Sequence, residues 1–329
     1  MTKLMFDRRA MTHAMAAALF SPITLAAAKP RDGLEVLLAP TGASISLARV
    51  LSSGGLDAAA PRATFRTWMD ADELRAGIVS GRTLLFSTPT HVPANLVNRG
   101  MPLKLLCLIG LGHLYIVTSD ESVASFKDLA GKPVLGFFKN DMPDLVFRAC
   151  AKMEGLDPDK DFQLSYVQTG MEAAQMLAAG KTQAAILSEP PSTAAIMMAG
   201  QQGRTLRRAI SLQEVWGRHK GSNGIPMVGV AVHQTLIDDA PEIIAALKAQ
   251  LPAAKEWALA NRGDAATLAE KTMNMRAPVF EKAIDRLNMA VVPARAAKDH
   301  LNTFYQTLID LDPKSLAGKL PGDDFYLDF

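Results

Sequence analysis

Two stretches of this chain follow the same plan. Ala63 to Trp68 is a β run, Asp70 stands where a helix N-cap belongs, and Glu73 follows three residues later as its capping-box partner. Leu74 and Ile78, with Val79 as a further candidate, give the buried helical stripe, Gly81 stops the helix, and Thr83 to Phe86 returns to β pattern before Ser87-Thr88-Pro89. Further on, Phe162 to Val167 is a β run, Thr169 the cap and Glu172 its partner. Leu177 lies on the buried face, Gly180 is the stop, and Gln183 to Leu187 runs into Ser188-Glu189-Pro190. From cap to stopping glycine the two helices have equal length, and they leave as Gly81-Arg82-Thr83 and Gly180-Lys181-Thr182. Repeated strand–helix–strand units require parallel sheets with helices on their faces. A matched pair predicts two similar α/β lobes.

Two lobes predict where chemistry collects. In open parallel sheets, ligands bind beyond the carboxyl ends of the strands, where helix starts present unpaired N–H groups. The spacing adds a first strand at Glu35 to Ala39 and a helix from Ser44 to Ser53, stopped at Gly54-Gly55. Ser87-Thr88 and Ser188-Glu189 are then expected as loops on opposing walls of a cleft.

The first 28 residues stand apart. Lys3, Arg8 and Arg9 precede an apolar stretch, and Ala26-Ala27-Ala28 supplies the small side chains of a cleavage site. Residues 1–28 are therefore expected to be an export signal, cleaved near Ala28. Asp7-Arg8-Arg9-Ala10-Met11 resembles a twin-arginine motif, and general secretion remains the other route. Those three cations against Asp7 carry the whole formal charge of +2, so the remainder is neutral and offers a polyanion such as nucleic acid no attraction. Cys107 lies in an apolar run and Cys150 in an amphipathic one, so both are expected as small buried side chains and not as a disulfide.

The run from Ser125 to Gly136 (SFKDLAGKPVLG) resembles the second-lobe entry of periplasmic solute-binding proteins of the nitrate/sulfonate/taurine and thiamine-pyrimidine-precursor type. The likeness continues through Gly180 to Pro190, Pro241-Glu242-Ile243, the helix around Trp257 and Leu320-Pro321-Gly322-Asp323-Asp324-Phe325. The resemblance implies a type II periplasmic-binding-protein fold with two hinge crossings. Lobe one is expected at 33–118 and 223–329, lobe two at 119–222, with crossings at Thr118-Ser119 and Ser222-Asn223-Gly224. It also implies a periplasmic monomer that closes on a small polar molecule and docks on an ABC permease. The chain has no GxxxxGK[ST] motif, so a separate ATPase would supply the hydrolysis. The other readings are an exported sensory or accessory subunit with the same clamp, and a two-lobed enzyme of dehydratase or pyrimidine-synthase type. The pyrimidine-synthase relatives carry a CCCFC run that this chain lacks.

The candidate ligand contacts come from strand ends. Gly42 would let backbone approach a ligand and Thr41 could donate a hydrogen bond, although Ser44 as a simple cap explains that segment equally well. Ser87, Thr88 and His91 belong to the most polar loop of lobe one. Phe138 could stack on a ligand, Lys139 suits an anion, and Asn140 or Asp141 caps the next helix. Gln168, Ser188, Glu189 and Asn223 complete the set, with Glu189 favouring an amine. Lys139 and Glu189 argue for opposite ligand charges. Arg66 and Trp68, two apart on the second strand, share a face that is either core or cleft, with core the preferred place for Trp68, and the sixteen methionines are read as core filler. The six histidines show no metal-ligand spacing and no G-x-S-x-G elbow occurs, so neither a catalytic residue, a metal nor a cofactor is expected.

Overall fold

The computed structural model describes residues 33–222 and 224–328, so the expected signal at 1–28 and the candidate Asn223 lie outside the described residues. The chain begins with β1 (Glu35–Leu38), α1 (Ile45–Ser52), β2 (Thr64–Thr67), α2 (Ala71–Val79), β3 (Leu85–Pro89), α3 (His91–Asn98) and β4 (Leu103–Gly110). It continues with β5 (Leu114–Thr118), β6 (Pro133–Phe137), α4 (Met142–Met153), β7 (Gln163–Val167) and α5 (Gly170–Ala178). Next come β8 (Ala184–Ser188), α6 (Pro191–Gln201), β9 (Arg207–Ser211) and α7 (Leu212–Lys220). The last part holds β10 (Val228–His233), α8 (Gln234–Asp239), α9 (Pro241–Ala260), α10 (Arg262–Met273), α11 (Ala277–Ala283), β11 (Met289–Pro293) and α12 (Lys298–Leu311).

These strands form two sheets, ordered β11-β4-β10-β3-β1-β2 and β7-β6-β8-β5-β9. The repeat extends well beyond the two capped helices. In the first sheet β1 lies between β2 and β3, and in the second β6 lies between β7 and β8, each pairing in parallel with both neighbours. Beside each trio runs one antiparallel strand that enters from the other half of the molecule: β10 against β3 and β4, and β5 against β8 and β9. Each of these two strands is the first one formed after the chain passes from one sheet to the other.

β5 belongs wholly to the second sheet, so the first passage between sheets is Leu111 to His113, and the expected boundary at Thr118-Ser119 lies one strand too late. Both strands flanking that passage are apolar and continuous in hydropathy, and only the pairing tells them apart. The return runs between α7 and β10. The two passages touch: Ile225 N–H donates to the Leu111 carbonyl at 3.2 Å. Asn288 braces them, its side-chain amide donating to the Gly112 carbonyl at 2.6 Å. Gly112 sits at φ +85°, where a side chain would be strained and would also press on Ile225 N at 3.3 Å.

Both capped helices form with their caps in place. Asp70 accepts from Asp72 N–H at 2.8 Å and Thr169 Oγ1 from Glu172 N–H at 3.1 Å, and Gly81 and Gly180 both adopt positive φ. The reciprocal half of the box reaches the residue before each cap. Glu172 accepts from Gln168 N–H at 3.1 Å. Glu73 meets the Met69 backbone in the same way and also accepts from Arg66 Nη2 of β2 at 2.7 Å; the Arg66 pairing is the main cause that holds its carboxyl below the usual range. The main core is continuous across both sheets, and a smaller cluster of Leu135, Leu177, Ala185 and Leu187 fills the space between the second sheet and α5–α6. Cys107 and Cys150 are buried free thiols. Among the described residues, no helix is long and apolar enough to cross a membrane.

Candidate functional site

The carboxyl ends of β1, β2, β3 in one sheet and β6, β7, β8 in the other converge on a common cleft, as the open-sheet rule requires. It has a narrow inner part of about 70 Å³ and a wide outer chamber of about 420 Å³. Pro40, Trp68, Phe137, Phe138 and Ser188 line both, so the two adjoin across these side chains.

The inner part is lined by the polar side chains Thr41, His113, Asp141 and Ser188, and the outer chamber by Thr67, Thr169, Gln175, Ser188, Gln201, Asn274 and Arg276. Thr41 Oγ1 and His113 Nε2 are 3.0 Å apart, joining the end of β1 to the first passage between sheets. Burial alone pushes the His113 imidazole down to about 4, so it is neutral at physiological pH. Its Nδ1 is buried without a hydrogen-bond partner. Asp141 caps α4 through Met142 N–H at 2.7 Å and also spans the cleft. Its other oxygen accepts from Arg75 Nη2 of α2 at 3.1 Å, and His91 Nε2 of α3 approaches at 3.4 Å. Burial lowers the His91 pKa, only partly opposed by Asp141. One lobe-two carboxylate therefore grips two helices of lobe one.

Aromatic rings form the neck between the two parts. Trp68, 4% exposed, is held by its indole N–H donating to the Ser87 carbonyl at 3.1 Å. Ser87 Oγ in turn accepts from Ala39 N–H at 2.7 Å and lies 3.1 Å from Ser44 Oγ. Across the cleft Phe138 adopts φ +50°, a conformation a bulky side chain takes only when its surroundings impose it. Its ring packs against Phe137 at 5.4 Å between centroids. The outer chamber is lined by six methionines: Met69, Met171, Met197, Met198, Met273 and Met275.

Thr41, Phe138 and Ser188 are the sequence candidates that line the cleft. His91 stands behind it on Asp141. Gly42 instead packs on Leu287, where a Cβ would meet side-chain carbon at 2.3 Å. Ser87 and Thr88, expected in a loop, are fully buried in β3, because β10 pairs along the whole strand and extends it to Pro89. Lys139 is exposed and sits over the Tyr166 ring at 5.6 Å. Asn140 occupies a left-handed turn, its N–H donating to Asp144 at 2.8 Å. Gln168 is exposed, its N–H bound to Glu172. Glu189 is fully buried and faces Arg208 (2.7 Å) and Thr193 (2.7 Å); burial raises its pKa against the opposing pull of Arg208. The opposite charges of Lys139 and Glu189 thus never meet in the site.

Sequence reasoning missed His113 and the methionines. Trp68 is both core and wall, and the methionines come from segments too far apart in sequence to show any spacing. Among the described residues, no three His, Cys, Asp or Glu side chains are grouped to hold a metal ion.

Two α/β lobes joined by two passages and enclosing a cleft at their strand ends define a two-lobed binding-protein fold. Residues 96–273, more than half of the chain, match the NMT1-like family, and the chain belongs to that family. An ABC transporter protein from Parabacteroides distasonis superposes with a TM-score of 0.74 at 22% identity, over 90% of this chain and 98% of the other. The periplasmic aliphatic sulphonate binding protein SsuA from Escherichia coli gives 0.71 at 17% identity, over 91% and 93%. The periplasmic nitrate-binding protein NrtA from Synechocystis PCC 6803 gives 0.67 at 14%, over 91% and 88%. No curated protein matches the sequence.

Proposed function

We propose that this protein is the exported solute-binding receptor of an ABC importer, closing its two lobes on one small molecule and presenting it to a permease driven by a separate ATPase. The observation that carries the reading is the cleft itself. It lies between two sheets joined by two hydrogen-bonded passages, and Asp141 of one sheet reaches Arg75 and His91 of the other. Such a geometry can hold a molecule by closing and release it by opening. Lobe one comprises 33–110 and 228–328 and lobe two 114–220, with Leu111–His113 and the described residues 221–222 and 224–227 as hinges. The basic, apolar and small-residue order of 1–28 supports export to the periplasm, and the names of the similar structures support the pairing with an ABC importer.

Native mass spectrometry of the protein recovered from the periplasm of an exporting host tests this. Loss of residues near 1–28 together with one small molecule per chain is expected. Retention of the leader contradicts export. Return of a chemically altered molecule contradicts a binding role.

A further inference from the structure

The chemistry of the cleft constrains what it holds. Aside from Arg276, the described residues lining the outer chamber carry no ionised side chain, and Arg276 is exposed to solvent at the start of α11. In the inner part the ionised side chain is Asp141, already paired. An anion entering here would leave water without gaining a buried cation, which is unfavourable by several kcal/mol.

Helix starts would be the usual substitute for a cation, and in lobe two they are already taken. α4 opens with Asp141 bound to Met142 N–H and with Pro143, which has no N–H. α6 is preceded by Pro190 and opens with Pro191, and its Thr193 N–H donates to Glu189 at 3.2 Å. α5 carries Glu172 in its first turn. Each helix of lobe two that starts at the cleft therefore has a carboxylate of its own at that end.

What remains is uncharged and largely apolar, with Thr67, Thr169, Gln175, Gln201 and Asn274 as neutral polar groups among the methionines. Methionine side chains are unbranched and polarisable, and they repack around irregular apolar shapes. At about 420 Å³ the chamber falls within the range of small-molecule sites and far exceeds an inorganic anion. Resting on the receptor reading, we infer that the ligand is uncharged and mainly apolar. Its apolar body fills the methionine chamber past Trp68 and Phe138, and one hydrogen-bonding end reaches Thr41, His113 or Ser188.

The test uses purified protein, unfolded and refolded to remove any carried molecule, with the uncharged fluorescent probe N-phenyl-1-naphthylamine. Saturable binding at one probe per chain is expected. Displacement by 1-octanol should need at least tenfold less competitor than displacement by octane-1-sulfonate, and nitrate should not compete. Met171→Asp and Met198→Asp should each weaken the probe at least tenfold. Met171 is 40% exposed, so its variant should keep the wild-type unfolding midpoint. Tighter capture of octane-1-sulfonate or nitrate than of 1-octanol overturns the inference and leaves the receptor reading standing. Absence of saturable probe binding, or binding indifferent to both substitutions, also overturns it. The receptor reading has its own readout in the molecule carried through export, so either can fail alone.

Discussion

Ser87 shows how one hydroxyl organises a wall of the cleft. Its Oγ satisfies the Ala39 amide, while its carbonyl fixes the Trp68 indole. Ser87→Ala leaves the Ala39 N–H buried without a partner, which should cost about 1–3 kcal/mol. The carbonyl that holds Trp68 survives this change. Denaturant unfolding should therefore show a lower midpoint, while N-phenyl-1-naphthylamine affinity changes less than about threefold; an unaltered midpoint would contradict the assignment. His113 and His91 give the cleft a pH signature. Burial depresses both, so the unfolded chain binds more protons and stability falls as acid is added. The His113 contribution is fully present above the ordinary histidine value of about 6.5 and is lost as pH falls towards about 4, amounting to roughly 3 kcal/mol in all. Unfolding free energies measured from about pH 7 to about pH 5 should fall more steeply in wild type than in His113→Gln. Parallel profiles would contradict a buried neutral imidazole.

The loop between β6 and α4 acts as a unit. Phe138 and Asn140 both take left-handed conformations, and Asp141 then turns to cap α4 and to meet α2. Asp141→Asn can keep the cap but loses the charge attraction to Arg75. For a pair this exposed on its arginine side, the loss is about 1 kcal/mol at low salt and less at high salt. Stopped-flow release of N-phenyl-1-naphthylamine should be about threefold to tenfold faster in the variant at low salt, with the gap narrowing as salt rises. A salt-independent rate equal to wild type would remove Asp141 from the closing contact. This loop also shows what local sequence can and cannot give. A cap at Asn140 or Asp141 was legible, because capping depends on near neighbours. The partner of Asp141 was not, because Arg75 lies 66 residues away and only the fold brings them together. Ser87 and Thr88 looked like a polar loop for the same reason. The strand that buries them, β10, is supplied from the far end of the chain.

For the whole molecule, the repeat of a capped helix between two strands was enough to predict two lobes and a cleft at their strand ends. It could not place the first crossing, since β4 and β5 are equally apolar and differ only in which sheet takes them. Nor could it reveal the chamber, whose methionines come from the ends of β2, α5, α6 and α10. β5 and β10 each belong wholly to one sheet, so closure is expected as a rotation about Leu111–His113 and the return between α7 and β10, with each sheet moving intact. Small-angle X-ray scattering tests this most directly, using the protein as recovered with its carried molecule and the same protein after refolding has removed it. The account predicts a smaller radius of gyration and maximum dimension for the loaded form, with expansion on removal and return on adding the molecule back. Superimposable curves for loaded and stripped protein would contradict it.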